Sequence, residues 1–222
     1  MIPLRDSNRS RHFPVMNWIL IIANVLVFLF EIGLPNNQLN NFINNYALVP
    51  SQLQSQPVTY AITIFTSMFM HAGWFHILSN MWVLFIFGDN IEDRMGPIPY
   101  LIFYLLGGTA AALLQTYVGA GSNIPVLGAS GAIAAVLGAY IFLFPSARIV
   151  SLVFIVFFIT IVEVPALIFI GFWFVTQLFS GLASIGAVEG VAWWAHIGGF
   201  LVGLVISPLF LRRTPPRQIE FF

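Results

Sequence analysis

The chain is written in long apolar blocks separated by short polar ones, and the blocks match the length that crosses a bilayer. A membrane helix needs about 20 predominantly apolar residues. Six blocks meet that length, at about 15–34, 74–95, 98–118, 126–144, 164–181 and 192–211, and predict six membrane helices. A further apolar run, 149–162 ("IVSLVFIVFFITIV"), is cut off by Glu163 and Pro165 and would crowd its neighbour as a seventh span. It is expected to be re-entrant or interfacial. From residue 35 to residue 73 the connection carries no charge: "PNNQLNNFINNYALVPSQLQSQP" is polar and turn-rich, "VTYAITIFTSMFMHAGWFH" apolar and aromatic. Such a loop is expected to lie in the membrane interface, where aromatic side chains are favoured.

Composition agrees with the pattern. Of 222 residues, 59% are hydrophobic and 7% charged, against roughly a quarter charged in a soluble domain. The expected architecture is all-α: a polytopic membrane domain over 15–211, between an N-terminal tail (1–14) and a C-terminal tail (212–222). The first span has no small-residue cleavage site behind it and reads as a retained helix. There are no cysteines, which excludes disulfide and thiolate chemistry. No metal-ligand cluster, phosphate loop or nucleic-acid patch is visible, so neither metal, cofactor nor nucleic acid is expected.

Charge then orients the helices. The eight basic residues are all arginines: Arg5, Arg9 and Arg11 before the first span, Arg94 after the second, Arg148 after the fourth, Arg212, Arg213 and Arg217 after the sixth. With six spans all eight fall on one side. Cytoplasmic loops carry the arginine excess, so both termini are expected there. The second, fourth and sixth spans then run inward, which brings His71, His76 and Asn80, Ser130, and His196 to a similar depth near the outer face.

Polar side chains within spans usually face a bundle interior or a water-filled cavity. Any one of these residues alone is equally well explained as interhelical glue, worth roughly 0.6–2 kcal/mol. Together they fit hydrolysis of a peptide bond, which needs a nucleophile, a base and donors for the oxyanion. Ser130, near a helix start where first-turn N–H groups are unpaired, is the candidate nucleophile, and its own amide a candidate oxyanion donor. Gly128 and Gly131 allow the backbone to be approached closely there. His196 is the candidate base. Ala195, Gly199 and Gly203 lie four apart on its helix, facing a matching surface of Gly131, Ala134, Ala135 and Gly138, so close packing would bring Ser130 and His196 together. His76 and Asn80 share a helix face and are assigned to the oxyanion hole, with His71 in a supporting role. His12 sits in the arginine-rich tail and is set aside. Neither Glu31 nor Glu189 has a spacing that completes a triad, which leaves a Ser-His dyad.

The stretches "HAGWFHILSN", "GASGA" and "AHIGGFLVG", in this order, with "FGDNIEDRMG" after the second span, resemble the rhomboid intramembrane serine proteases in their six-helix bacterial form. The resemblance implies Ser130 as nucleophile, His196 as general base, and His76, Asn80 and the Ser130 amide as oxyanion donors; His71 matches an earlier histidine of less direct role. It implies substrates anchored in the lipid bilayer, single-pass or other membrane proteins, cut near the outer surface and often at a small residue. It also implies structural roles for Glu92 and Arg94, and a bacterial inner membrane as location. The fifth span, "PALIFIGFWFVTQLFSG", is expected from its bulky aromatic composition and from the family likeness to be a movable wall for substrate entry. Two positions depart from the family pattern: Val191 stands where a glycine is usual, with Gly190 beside it, and Ala134 where some members stack a tyrosine on the base. An aromatic of the fifth span, or Trp193 or Trp194, is expected to orient His196 instead.

Two other readings remain. A catalytically silent relative would bind membrane proteins without cutting them, although such proteins commonly lose one of the two reacting groups. A channel or transporter would spread its polar groups through the bilayer rather than gather them at one depth.

Overall fold

The computed structural model describes residues 1–8, 10–155, 158–185 and 191–212; Glu189, Gly190 and the tail from Arg213 onward lie outside the described residues. In chain order the elements are β1 (Ile2–Asp6), α1 (Val15–Gly33), α2 (Asn36–Tyr46), α3 (Pro50–Ser55), α4 (Pro57–Tyr60), α5 (Thr63–Thr66), a 3-10 turn at Ser67–Phe69, α6 (Trp74–Met95), α7 (Pro97–Val118), α8 (Ser130–Leu143), β2 (Arg148–Ile155), β3 (Phe158–Pro165), α9 (Ala166–Ala183), α10 (Trp193–Ile206) and a 3-10 turn at Ser207–Phe210.

The molecule is a mainly helical, multi-pass membrane protein, with an apolar helix in each of the six expected regions, of which four to five are long enough to count as spans. Val15–Gly33, Pro97–Val118, Ala166–Ala183 and Trp193–Phe210 are each long and apolar enough to cross a membrane. A fifth span is counted when α6, charged in its last turns, is taken with Pro57–Phe69, which meets it at 80°. α8 is apolar but has only 14 residues. The segment holding α4 and α5 therefore lies across α6, and Val58, Ile62 and Phe65 are exposed, as suits an interfacial loop.

α8 is the core. Every residue from Gly131 to Tyr140 is buried, against α10, α7 and α6. The packing is close because the facing residues are small: a Cβ on Gly199 would overlap the Gly131 carbonyl, one on Gly203 the Ala135 backbone, and one on Gly138 the Phe200 carbonyl. Glu92 caps α1, accepting from the N–H groups of Met16 (3.0 Å) and Asn17 (2.7 Å). Arg94 lies over the Phe144 ring at 5.6 Å. Both hold the end of the bundle opposite Ser130.

Two details go beyond the sequence expectation. Within the run expected to be re-entrant or interfacial, the described residues form strands: β2 pairs antiparallel with β3, and β1, from the segment read as a tail, pairs antiparallel with β2. The run of Ile, Val, Phe and Thr has high strand propensity although Ile159 and Ile161 are exposed, and periodicity alone does not distinguish such a run from a membrane segment. The fourth helix begins at Ser130 rather than near 126. Leu48 and Val126 form a β-bridge, and Gly128 takes φ +128°, which a helix does not allow.

Candidate active site

Ser130, His76 and His196 come from the starts of three helices that begin at the same end of the bundle, α8, α6 and α10. Ser130 is the first residue of α8, so its N–H has no partner in its own helix. The approach to it is tied down from the first loop: Gly128 N–H donates to the Ser67 carbonyl at 2.8 Å, and Leu48 and Val126 exchange bonds of 3.0 and 2.7 Å. Gly128 is required twice over. Its φ excludes ordinary side chains, and a Cβ there would lie 2.7 Å from Cε1 and Nε2 of His76.

His196 reaches Ser130 from α10, with Nε2 2.8 Å from Oγ. The start of α10 is held by Gln115 of α7, whose Oε1 accepts from the Ala195 N–H at 3.2 Å. Gly131 and Gly199 let α8 and α10 approach closely just inside this contact.

On α6, His76 Nδ1 accepts a long bond from the Ala72 N–H, 3.4 Å, which leaves a proton on Nε2, the nitrogen over Gly128. Asn80, one turn on, has a buried Nδ2 with no acceptor among the described residues. An unmet donor of this kind costs about 1–3 kcal/mol. His71 does not reach Ser130. It packs edge-on against His76 with ring centroids 5.0 Å apart, and both its ring nitrogens are buried without a partner among the described residues.

Ser130, His196, His76 and Asn80 border a cavity of about 560 Å³ that also takes in Phe75, Leu127, Val126, Trp173 and Val191; His71 is not in its wall. Its walls are apolar and its polar atoms converge on Ser130, the usual make-up of a binding cleft. No group of three or more potential metal-ligating side chains occurs among the described residues.

Two neighbours were not foreseen. Glu31 of α1 is buried and its Oε2 accepts from the His71 N–H at 3.1 Å, which anchors the turn before α6. Gln177 of α9 places Oε1 2.8 Å from Nδ1 of His196. The aromatic neighbours of the base are Trp173 on α9, at 6.0 Å and 38°, and Trp193, edge-on at 6.2 Å. A lone amide in the apolar "FWFVTQLFSG" was the available signal for Gln177, since such a group in a span needs a partner.

Comparison with known proteins bears on the family of the chain. The family model of the Rhomboid domain matches residues 59–213, more than half of the chain. Rhomboid protein 1, mitochondrial, of Saccharomyces cerevisiae is 30% identical over 173 residues, covering 74% of this chain and 45% of its own length. The human presenilin-associated rhomboid-like protein, mitochondrial, is 31% identical over 193 residues, covering 83% of this chain and 45% of its own. RHOMBOID-like protein 1 of Arabidopsis thaliana is 25% identical and covers 90% and 54%. The chain thus spans about half the length of the curated relatives it matches. The matched segment extends from the first loop through α10, a range that includes Ser130, His196, His76 and Asn80, and on that match the chain belongs to the rhomboid family.

Proposed function

We propose that this protein is an intramembrane serine endopeptidase that hydrolyses peptide bonds in or near the spans of membrane-anchored proteins. The observation that carries the reading is the 2.8 Å contact between Ser130 Oγ and His196 Nε2 beside a buried, unpaired donor on Asn80.

The chemistry follows from those positions. His196 Nε2 takes the Ser130 proton as Oγ bonds to the carbonyl carbon, and the carbonyl oxygen becomes an oxyanion. Three donors face that oxygen: the Ser130 N–H, Asn80 Nδ2 and His76 Nε2. Each such donor is worth about 10²–10³ in rate. His196 then passes its proton to the leaving amine as the C–N bond breaks, leaving an acyl ester on Ser130. A water deprotonated by the same nitrogen cleaves the ester and restores the serine. His71 supports His76 from behind, and the cavity admits the water that hydrolysis consumes. On this reading the arginine distribution sets both termini in the cytoplasm and the site toward the outer face of the cell membrane.

The test is cleavage, by purified protein in detergent, of a reporter span with a small residue near one end. The wild type cuts and takes a fluorophosphonate probe on Ser130; Ser130→Ala and His196→Ala stay folded and cut at least about 10³-fold more slowly. Equal cutting by all three overturns the reading. A folded wild type that neither cuts nor takes the probe supports the silent binder instead.

A further inference from the structure

A dyad leaves the histidine free to carry its proton on either ring nitrogen, and only the form with Nδ1–H presents a lone pair to serine. The hydrogen bonds around Gln177 decide between them. Gln177 is 5% exposed, and its Nε2 lies 3.2 Å from the Trp173 carbonyl and 3.1 Å from Thr176 Oγ1. The carbonyl can only accept. The Thr176 hydroxyl already donates to that carbonyl at 2.6 Å, so toward Gln177 it too accepts. Both neighbours therefore demand the NH₂ side of the amide. Oε1 is left facing His196 Nδ1, and an oxygen there requires Nδ1 to carry the proton.

We propose that Gln177 is the positioning residue of the site, holding His196 in the Nδ1–H form with Nε2 open to Ser130. This rests on the Ser-His reading given above. The amide acts through its dipole and adds no charge to an apolar setting, where an unpaired carboxylate would be costly.

The location of Gln177 adds a condition. It is carried by α9, whose apolar window is 22% buried, the smallest share of the four candidate spans; the others are 33% to 39% buried. Phe172, Val175, Phe179 and Leu182 face outward along α9, while Phe174 stacks on Phe200 of α10 at 4.1 Å. The orienting oxygen therefore belongs to the most peripheral span, and the base is set for reaction only while α9 is docked on α10.

Gln177→Met keeps length and apolar volume and removes the acceptor; Gln177→Glu keeps an acceptor at the same reach. Each is purified with wild type and checked for folding by thermal melting and for an accessible serine by fluorophosphonate labelling. The expected result is kcat about 10²-fold lower for Gln177→Met with KM within about twofold, and partial recovery of kcat in Gln177→Glu. Nitrogen-15 spectra of histidine-labelled protein, assigned with His196→Ala, should show the Nδ1–H form in wild type and a mixture in Gln177→Met. Unchanged kcat together with an unchanged tautomer in folded Gln177→Met overturns the proposal, as does an Nε2–H form in the wild type. A wild type that does not cut or label, yet shows the Nδ1–H form that Gln177→Met loses, keeps the positioning role and sinks the protease reading.

Discussion

The Asp6 carboxyl sits where a strand meets two helices, accepting from Tyr140 at 2.5 Å and from Asn90 at 2.9 Å. Burial pushes it up to about 6 from 3.8; the Tyr140 bond works against that shift, and the neighbouring Asp89 carboxylate adds to it. Below about pH 4 the carboxyl is protonated folded or unfolded. Between there and about pH 6 the folded protein keeps the proton that the unfolded chain gives up, so stability falls as pH rises through that window and then levels. Thermal melting in detergent should show that step in wild type and lose it in Asp6→Asn; a step kept by the variant assigns it to another group. Such long-range partners are what residue-by-residue reading misses. Ser130, His196, His76 and Asn80 stood out because a polar group in an apolar block is conspicuous. The roles of Gln177 and Glu31 depend on which side chain of another helix lies opposite, and no spacing within one segment contains that information.

Helices were legible for the same reason that their contacts were: apolar length predicts a span, and small residues four apart predict a close neighbour. The seam between α8 and α10 shows both. Gly199→Val should force these helices apart, lowering the melting temperature and slowing cleavage by at least about tenfold, because Ser130 and His196 sit on either side of it. Gly171→Ala on α9 has nothing within 4 Å of its new methyl group and is the matched control, expected to leave both unchanged. Equal behaviour of the two variants would mean that the seam does not set the dyad. The start of α8 and the hairpin at 148–165 were less legible. A four-residue error arose because Val126 and Gly128 are apolar or small yet are held out of helix by partners in the first loop. The hairpin is apolar on every residue but Thr160, Ser151 and its charged base, so it lacks the alternation that marks a half-exposed strand.

Across the whole molecule the described arginines gather at the end remote from Ser130. The Arg212 N–H bonds the Arg94 carbonyl, and the Arg148 carbonyl accepts from Ser7 N–H. The proposed orientation can be read directly, since the chain has no cysteine of its own. Asn45→Cys, in the exposed first loop, should react in intact cells with a membrane-impermeant maleimide, and Ser146→Cys, exposed after α8, only after lysis. The reverse pattern would invert the topology. The sheet lies outside what a count of spans reveals, because its pairing joins Asp6 to Ile149 and Ile2 to Leu152. That pairing also orders events in time. A ribosome adding about 5–20 residues per second needs roughly 7 to 30 s to make the strand that β1 joins. Over that interval α1 to α8, the reactive serine among them, have already been made, while the segment around Asp6 waits for its partner strand. Placing β1 therefore follows synthesis of α8, and a chaperone or insertase that shields residues 2–6 would act on a chain that still lacks α9 and α10.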